Sequence, residues 1–345
     1  GQALTLNGSA GSGSDGAGAN VITPIAANTY TGLGDITLGS AAAGTAQLNI
    51  DAGVVILNGT INGDDDDKGI ISIRNITNAT FNGIIGGAAH GGLHLIEIGN
   101  GGIAQATFNE HVTATKIDFR NAGSIASLRD TKTITGDVDS VGGGILRFLG
   151  SGTVTGKVGN TNPLAQVSVE ANGSTARFGD SVATNSMRIG VGAGAATVEL
   201  NGTSRINLVA DTDTEFLHDD SVLQLQALGG KDNTYTLENN IDPGVDGNGI
   251  IILHANGDDG NLLAPVVASK LTLDGNGVQT IGVNPGNKIK ELRVTGNKVS
   301  TITGNVDLTH VPLLNVEAGA TLVSNSASAF QVAVTNIGGA GGGGH

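Results

Sequence analysis

Apolar and polar residues alternate with a period of two over short stretches scattered along the whole chain. IISIRN (70–75), LHLIEIGN (93–100), TKIDFRN (115–121), GILRFLG (144–150), QVSVEANG (166–173) and MRIGVG (187–192) each set apolar side chains on one face and close on Gly or Asn. That period predicts short β-strands. No apolar stripe with a 3.6-residue period runs beyond two turns, so the chain is predicted to be nearly all β.

A second pattern lies between these strands: an apolar residue, then Asn or Thr, then Gly, then another apolar residue. It occurs as LNGTI (from Leu57), FNGII (Phe81), ITGDV (Ile134), VTGKV (Val154), LNGTSRI (Leu200) and ITGNV (Ile302), with looser copies FNEHV (Phe108) and FGDSV (Phe178). From Leu57 to Leu200 the leading residues are 24, 27, 26, 20, 24 and 22 positions apart. A repeat of that length predicts a parallel β-solenoid with coils of about 20–27 residues, each pairing with the coils above and below. Gly and Asn are expected at the corners because a positive φ is cheap there. A β-sandwich is the competing architecture; the repeat, the few aromatic residues and the lack of two-residue hairpin turns weigh against it.

The repeat divides the chain. Residues 51–205 carry regular coils. Residues 206–265 are acidic and looser, with DTDTEFLHDDS and HANGDDGN, and regular coils return over 266–337. Residues 1–50 are poor in strand signal and read as an N-terminal cap and loop region. The tail GGAGGGGH (338–345) reads as a linker or tag remnant.

Composition narrows the function. There are 57 glycines, only 3% aromatic residues and no Trp, which suits a thin regular core filled by Val, Ile, Leu and Ala. Without Cys, neither a disulfide framework nor a thiolate zinc site can form. A net charge of −14 with 17 basic residues argues against a nucleic-acid groove and against docking on anionic lipid. No apolar run reaches the length of a membrane-spanning helix. The sequence opens on Gly1 with no leader pattern, so any signal peptide is expected to be already gone or never included.

TGDVDSVGGGILRFLGSGTVTGKVGN (135–160) and STITGNVDLTHVPLLNVEAGATL (300–322) resemble passenger domains of Gram-negative autotransporters, most closely the rickettsial surface cell antigens of the outer membrane protein B type. The resemblance covers most of residues 30–335 as a style of repeat. It implies a right-handed parallel β-helix displayed outside the cell and exported through a C-terminal membrane barrel. No barrel sequence follows here, so a passenger fragment or processed passenger is expected. The family's roles are surface-layer coverage and adhesion to host receptors. No binding residue is carried over, because the shared segments are scaffold.

Several clusters carry candidate chemistry. Asp64, Asp65, Asp66, Asp67 and Lys68 form DDDDK, the recognition sequence of enteropeptidase, which cuts after the lysine. Consecutive aspartates cannot all converge on one calcium ion, so the bland reading is a solvated loop whose like charges extend it outward. Asp211, Asp213 and Glu215 alternate, and on a strand they would share a face as a calcium patch; the bland alternative is a polar outer face. GGKDNTYTL (229–237) is too far from a calcium-binding nonapeptide to count. Asp118 with Lys116 and Arg120, and Glu97 and Glu199, are the strand carboxylates that a polysaccharide lyase or hydrolase would use. His90, His94, His111 and His254 are scattered, and no catalytic motif joins them. The expectation is a non-catalytic extracellular protein on the outer surface of a Gram-negative bacterium, acting as adhesin or surface-layer component without a cofactor other than calcium. Its partner is a host-cell or matrix receptor or further copies of itself, with no nucleic acid and no membrane insertion. A self-assembling filament or matrix subunit and a β-helix polysaccharide enzyme are the alternatives.

Overall fold

Period-two alternation turns every second side chain inward, so strands such as Ile70–Ile73 and Leu93–Ile98 bury Ile71 and Ile73, Ile96 and Ile98. A strand this short cannot cover its apolar face alone, and stacking in register on equivalent strands is what buries it. The computed structural model shows this stacking and describes residues 2–7, 28–30, 33–41, 44–51, 53–65, 67–75, 78–87, 92–191, 194–201, 205–206, 214–227, 234–237, 241–242, 249–255, 269–272, 290–296, 299–303, 313–325 and 334–337. The fold is an all-β parallel solenoid; among the described residues no helix is long and apolar enough to cross a membrane. The chain divides into two compact units, residues 1–166 and 167–345.

In the first unit, the main sheet pairs Gln47–Ile50, Ile70–Ile73, Leu93–Ile98, Val112–Phe119, Lys132–Ser140 and Gly152–Val154 in parallel, in that order. A second sheet stacks Asn28–Tyr30, Val54–Leu57, Asn78–Phe81, Gln105–Phe108, Ile125–Leu128 and Ile145–Phe148. A third, narrow face is a column of Ile36, Ile61, Ile85, Val112, Ile134 and Val154, all buried. The stretch 1–50, expected as cap and loop, contributes to this stack: Gln2–Asn7 pairs in parallel with Leu33–Ala41, which pairs with Ile61–Gly63. Leu33–Ala41 also makes an antiparallel pair with Gly44–Thr45.

Register builds the core. Leu48, Ile71, Ile96, Ile117 and Val138 form one inward column, and Leu57, Phe81, Phe108, Leu128 and Phe148 another. The Phe81 and Phe108 rings stack with centroids 5.4 Å apart. Burying each such ring is worth roughly 1.5–3 kcal/mol, and the described phenylalanines are all buried in this way.

The same register corrects the sequence repeat. Leu57, Phe81 and Phe108 lead their patterns from the second sheet, whereas Ile134 and Val154 lie in the third-face column with Ile61, Ile85 and Val112. One sequence pattern therefore marks two different corners. At the first, Asn82 donates to Asn58 (2.6 Å), Asn109 donates to Asn82 (2.5 Å), and Arg129 Nε donates to Asn109 (3.2 Å). The glycines beside these asparagines are not left-handed. They are small because the coils nearly touch: a Cβ on Gly59 would lie 2.2 Å from the Gly34 carbonyl oxygen, and one on Gly83 2.1 Å from that of Gly59. Close approach, rather than the expected positive φ, fixes glycine there.

The second unit repeats the plan. Thr175–Phe178, Thr197–Asn201, Val222–Ala227, Ile250–Ala255, Glu291–Gly296, Leu313–Val316 and Val334–Ile337 form one parallel sheet. Gln166–Val169, Met187–Ile189, Thr214–Phe216 and Ile241–Asp242 form a second. Arg205–Ile206, Thr234–Leu237, Ser269–Thr272, Val299–Thr303 and Thr321–Asn325 form a third. Pairing thus continues through strands of the acidic stretch 206–265. Residues 338–345 lie outside the described residues.

Candidate functional site

Inward Ile96 and Ile98, Ile117 and Phe119 turn Glu97 and Asp118 outward, and Val138 does the same for Asp139. Parallel register then stacks Ser72, Glu97, Asp118 and Asp139 in one column on the outer face of the main sheet. Outward does not mean wet: Glu97 is 9%, Asp118 2% and Asp139 4% exposed. Strand neighbours sit about 4.8 Å apart, so three carboxylates this close need counter-charge.

Lys116 and Arg120 supply it. They lie two residues either side of Asp118, hence on its face of the strand. Arg120 bridges Glu97 (2.8 Å) and Asp118 (3.1 Å), and Lys116 bridges Asp118 and Asp139 at 3.5 Å each. Asn100 donates to Glu97 (2.9 Å). Asp139 accepts the backbone N–H groups of Ser140 (2.9 Å), Thr161 (3.2 Å) and Asn162 (3.2 Å). Burial is the largest single influence on Asp139 and pushes its carboxyl up. The hydrogen bonds from Thr161, Ser140 and Asn162 together outweigh it and hold the group below the usual carboxylate range. The structure thus brings Lys116, Asp118, Arg120 and Glu97 together as an ion-paired ladder. Asp139 belongs to the same ladder, and alternation in the segment TGDVDS was the signal that could have placed it there.

Glu199 and Glu215 each face an arginine on the adjacent strand. Arg177 makes a two-point contact with Glu199 (2.8 and 3.3 Å), and Arg188 lies 2.9 Å from Glu215. Asp211 and Asp213, expected beside Glu215 as a calcium patch, lie outside the described residues. Among the described residues, His218, Asp219 and Asp220 converge in this region, their ligand atoms within 4.8 Å of one another. Lys290 contacts Asp220 closely and is the main cause of its lowered pKa, so a cation already occupies part of that cluster.

In the DDDDK segment, Asp64 and Asp65 are exposed and Asp66 lies outside the described residues. Asp67 is different. It accepts a hydrogen bond from the Thr115 hydroxyl (2.6 Å) and pairs with His94 Nδ1 (3.0 Å), tying the loop to two successive strands. The Thr115 bond chiefly, with His94 and Lys68, holds the Asp67 carboxyl below its ordinary value against the opposing effect of burial. His111 accepts from the Thr133 N–H and His254 contacts Thr295, so neither histidine joins the ladder; His90 lies outside the described residues.

The sequence is 36% identical to outer membrane protein A of Rickettsia conorii (strain ATCC VR-613 / Malish 7) over 181 residues, 51% of the chain. It is 35% identical to outer membrane protein A of Rickettsia rickettsii over 189 residues, 53% of the chain. The chain spans about 8% of the length of either relative. The resemblance to rickettsial surface antigens therefore holds, with relatives named A where the repeat pattern had suggested the B type. No family profile and no solved structure matches the chain.

Proposed function

We propose that this chain is part of an autotransporter-type passenger on the outer surface of a Gram-negative bacterium, acting without catalysis as an adhesin or surface-layer component. The observation that carries this reading is 35–36% identity to two rickettsial proteins named for the outer membrane, on a chain that folds as a parallel β-solenoid. The site geometry fits it. The carboxylates that a sugar-cleaving enzyme would use are held by Lys116, Arg120 and Arg177, and Asp118 is almost wholly buried. In-register stacking lets surface loops vary while ladder hydrogen bonds and inward columns keep the scaffold. The working surface uses no cofactor and meets a host-cell or matrix receptor.

Beads coated with the purified chain test the adhesin role. They are expected to bind cultured host cells saturably and to be displaced by free chain. Binding no greater than that of beads carrying an unrelated acidic protein would sink it. Scattering that grows with concentration in the absence of cells would favour assembly of copies instead. Turnover of an acidic polysaccharide would overturn the non-catalytic half.

A further inference from the structure

We propose that the Lys68–Gly69 bond is a conformationally gated cleavage site for an endopeptidase that reads acidic residues ahead of lysine, and that Asp67 is its latch. The sequence through Lys68 matches such a specificity, and Asp64 and Asp65 are exposed. The bond itself is withheld. An endopeptidase takes its substrate as an extended strand added to its own edge, and needs the scissile carbonyl free for its oxyanion donors. Here Asp67 has φ +58° and Gly69 φ +84°, both left-handed, on either side of the lysine. Gly69 is buried, with Leu38 and Leu93 beside it. The Lys68 and Gly69 carbonyls both accept the His94 N–H, at 3.3 and 3.1 Å.

The latch is specific. A left-handed φ is tolerated by aspartate better than by most residues but still costs free energy that its contacts must offset. Asp67 is held from three sides: its N–H donates to the Gly92 carbonyl (3.0 Å), and its carboxylate takes Thr115 and His94. Releasing the carboxylate frees the loop to extend and the lysyl carbonyl to leave His94. Cleavage then adds water across the amide, leaving a carboxylate on Lys68 and an amine on Gly69. In the closed loop the motif is visible but uncut, so cutting reports opening of these coils.

The experiment is digestion of the full chain by enteropeptidase at neutral pH, with a free peptide of residues 62–72 as the ungated reference. The native chain is expected to be cut at Lys68 about a hundredfold more slowly than the peptide, because cleavage follows the open population. Thr115→Val and His94→Ala each remove one hold on Asp67 and are expected to speed cleavage about threefold, the worth of a solvent-exposed contact. Thr107→Val, on the second sheet, is expected to leave the rate unchanged. Native chain cut as fast as the peptide overturns the gate. A peptide that is not cut overturns the recognition. Latch variants as resistant as the native chain overturn the role of Asp67, and equal acceleration by Thr107→Val reduces it to general destabilisation.

Discussion

In the first unit three acids, Glu97, Asp118 and Asp139, follow one another up a column of the main sheet, and the cations come from Asp118's own segment, two residues to either side of it. In the second unit opposite charges meet across adjacent strands, Arg177 facing Glu199, with uncharged Gln224 next in the column, and elsewhere Arg293 is clasped by Glu291 on its own strand at 2.9 and 2.8 Å. Both arrangements answer one constraint. Parallel register places equivalent residues about 5 Å apart, where two like charges in a partly buried setting repel by about 3 kcal/mol. An apolar position can repeat indefinitely; a charged position must be interleaved or alternated.

The contrast can be broken most directly at Arg120. Arg120→Met leaves Glu97 and Asp118 buried and stacked without their shared cation, and is expected to cost about 3 kcal/mol in urea unfolding. Arg177→Met, whose side chain is more exposed, is expected to cost less than about 1 kcal/mol. Equal losses would show that burial of the first ladder has no energetic consequence.

A charge reversal sharpens it. Glu199→Arg sets two arginines in register and is expected to destabilise by about 1 kcal/mol. Adding Arg177→Glu should return most of that, because opposite charges again face each other in the pair. Failure of the double variant to recover would mean that surrounding packing, and not the facing charges, holds the pair.

Acid sets both units the same test. Asp139 and Glu291 are each held below their unfolded carboxyl values. Asp139 is lowered by hydrogen bonds that outweigh burial, and Glu291 chiefly by Arg293. A depressed carboxyl contributes stability that is present above its unfolded value, about pH 4, and is lost as pH falls through the lower folded value. Asp139→Asn and Glu291→Gln should each flatten the fall in melting temperature below about pH 4. A fall as steep as that of the parent chain would contradict the hydrogen-bond geometry at that residue. The smallest effect is expected at Arg188→Ala. It should cost under about 1 kcal/mol at low salt and nothing measurable at about 1 M salt, where the screening length is about 3 Å.

Much of the fold was legible in the sequence. LHLIEIGN and TKIDFRN fix which residues face inward, since period two admits only two choices and one buries the charges in the apolar interior. The coil length followed from the recurrence of apolar–Asn–Gly, and TKIDFRN also announced that Lys116, Asp118 and Arg120 share a face. What that pattern could not show is which corner each copy occupies. FNGII and ITGDV look alike, yet Phe81 leads from the second sheet and Ile134 stands in the third column. Likewise DDDDK reads as a solvated run, and the sequence could not show that its last aspartate, though exposed, is fastened to Thr115, 48 positions along the chain.

The sequence by itself determined the strands, their inward faces and the repeat, because these depend on alternation and spacing within a few residues. Only the tertiary structure decided register. Register made neighbours of Glu97, Asp118 and Asp139, paired Glu215 with Arg188, and set Gly83 against the Gly59 carbonyl. The physical reason is that a parallel stack pairs residues some twenty or more positions apart. Which pairs meet is settled by the lengths of the loops between them, and no local pattern contains that sum.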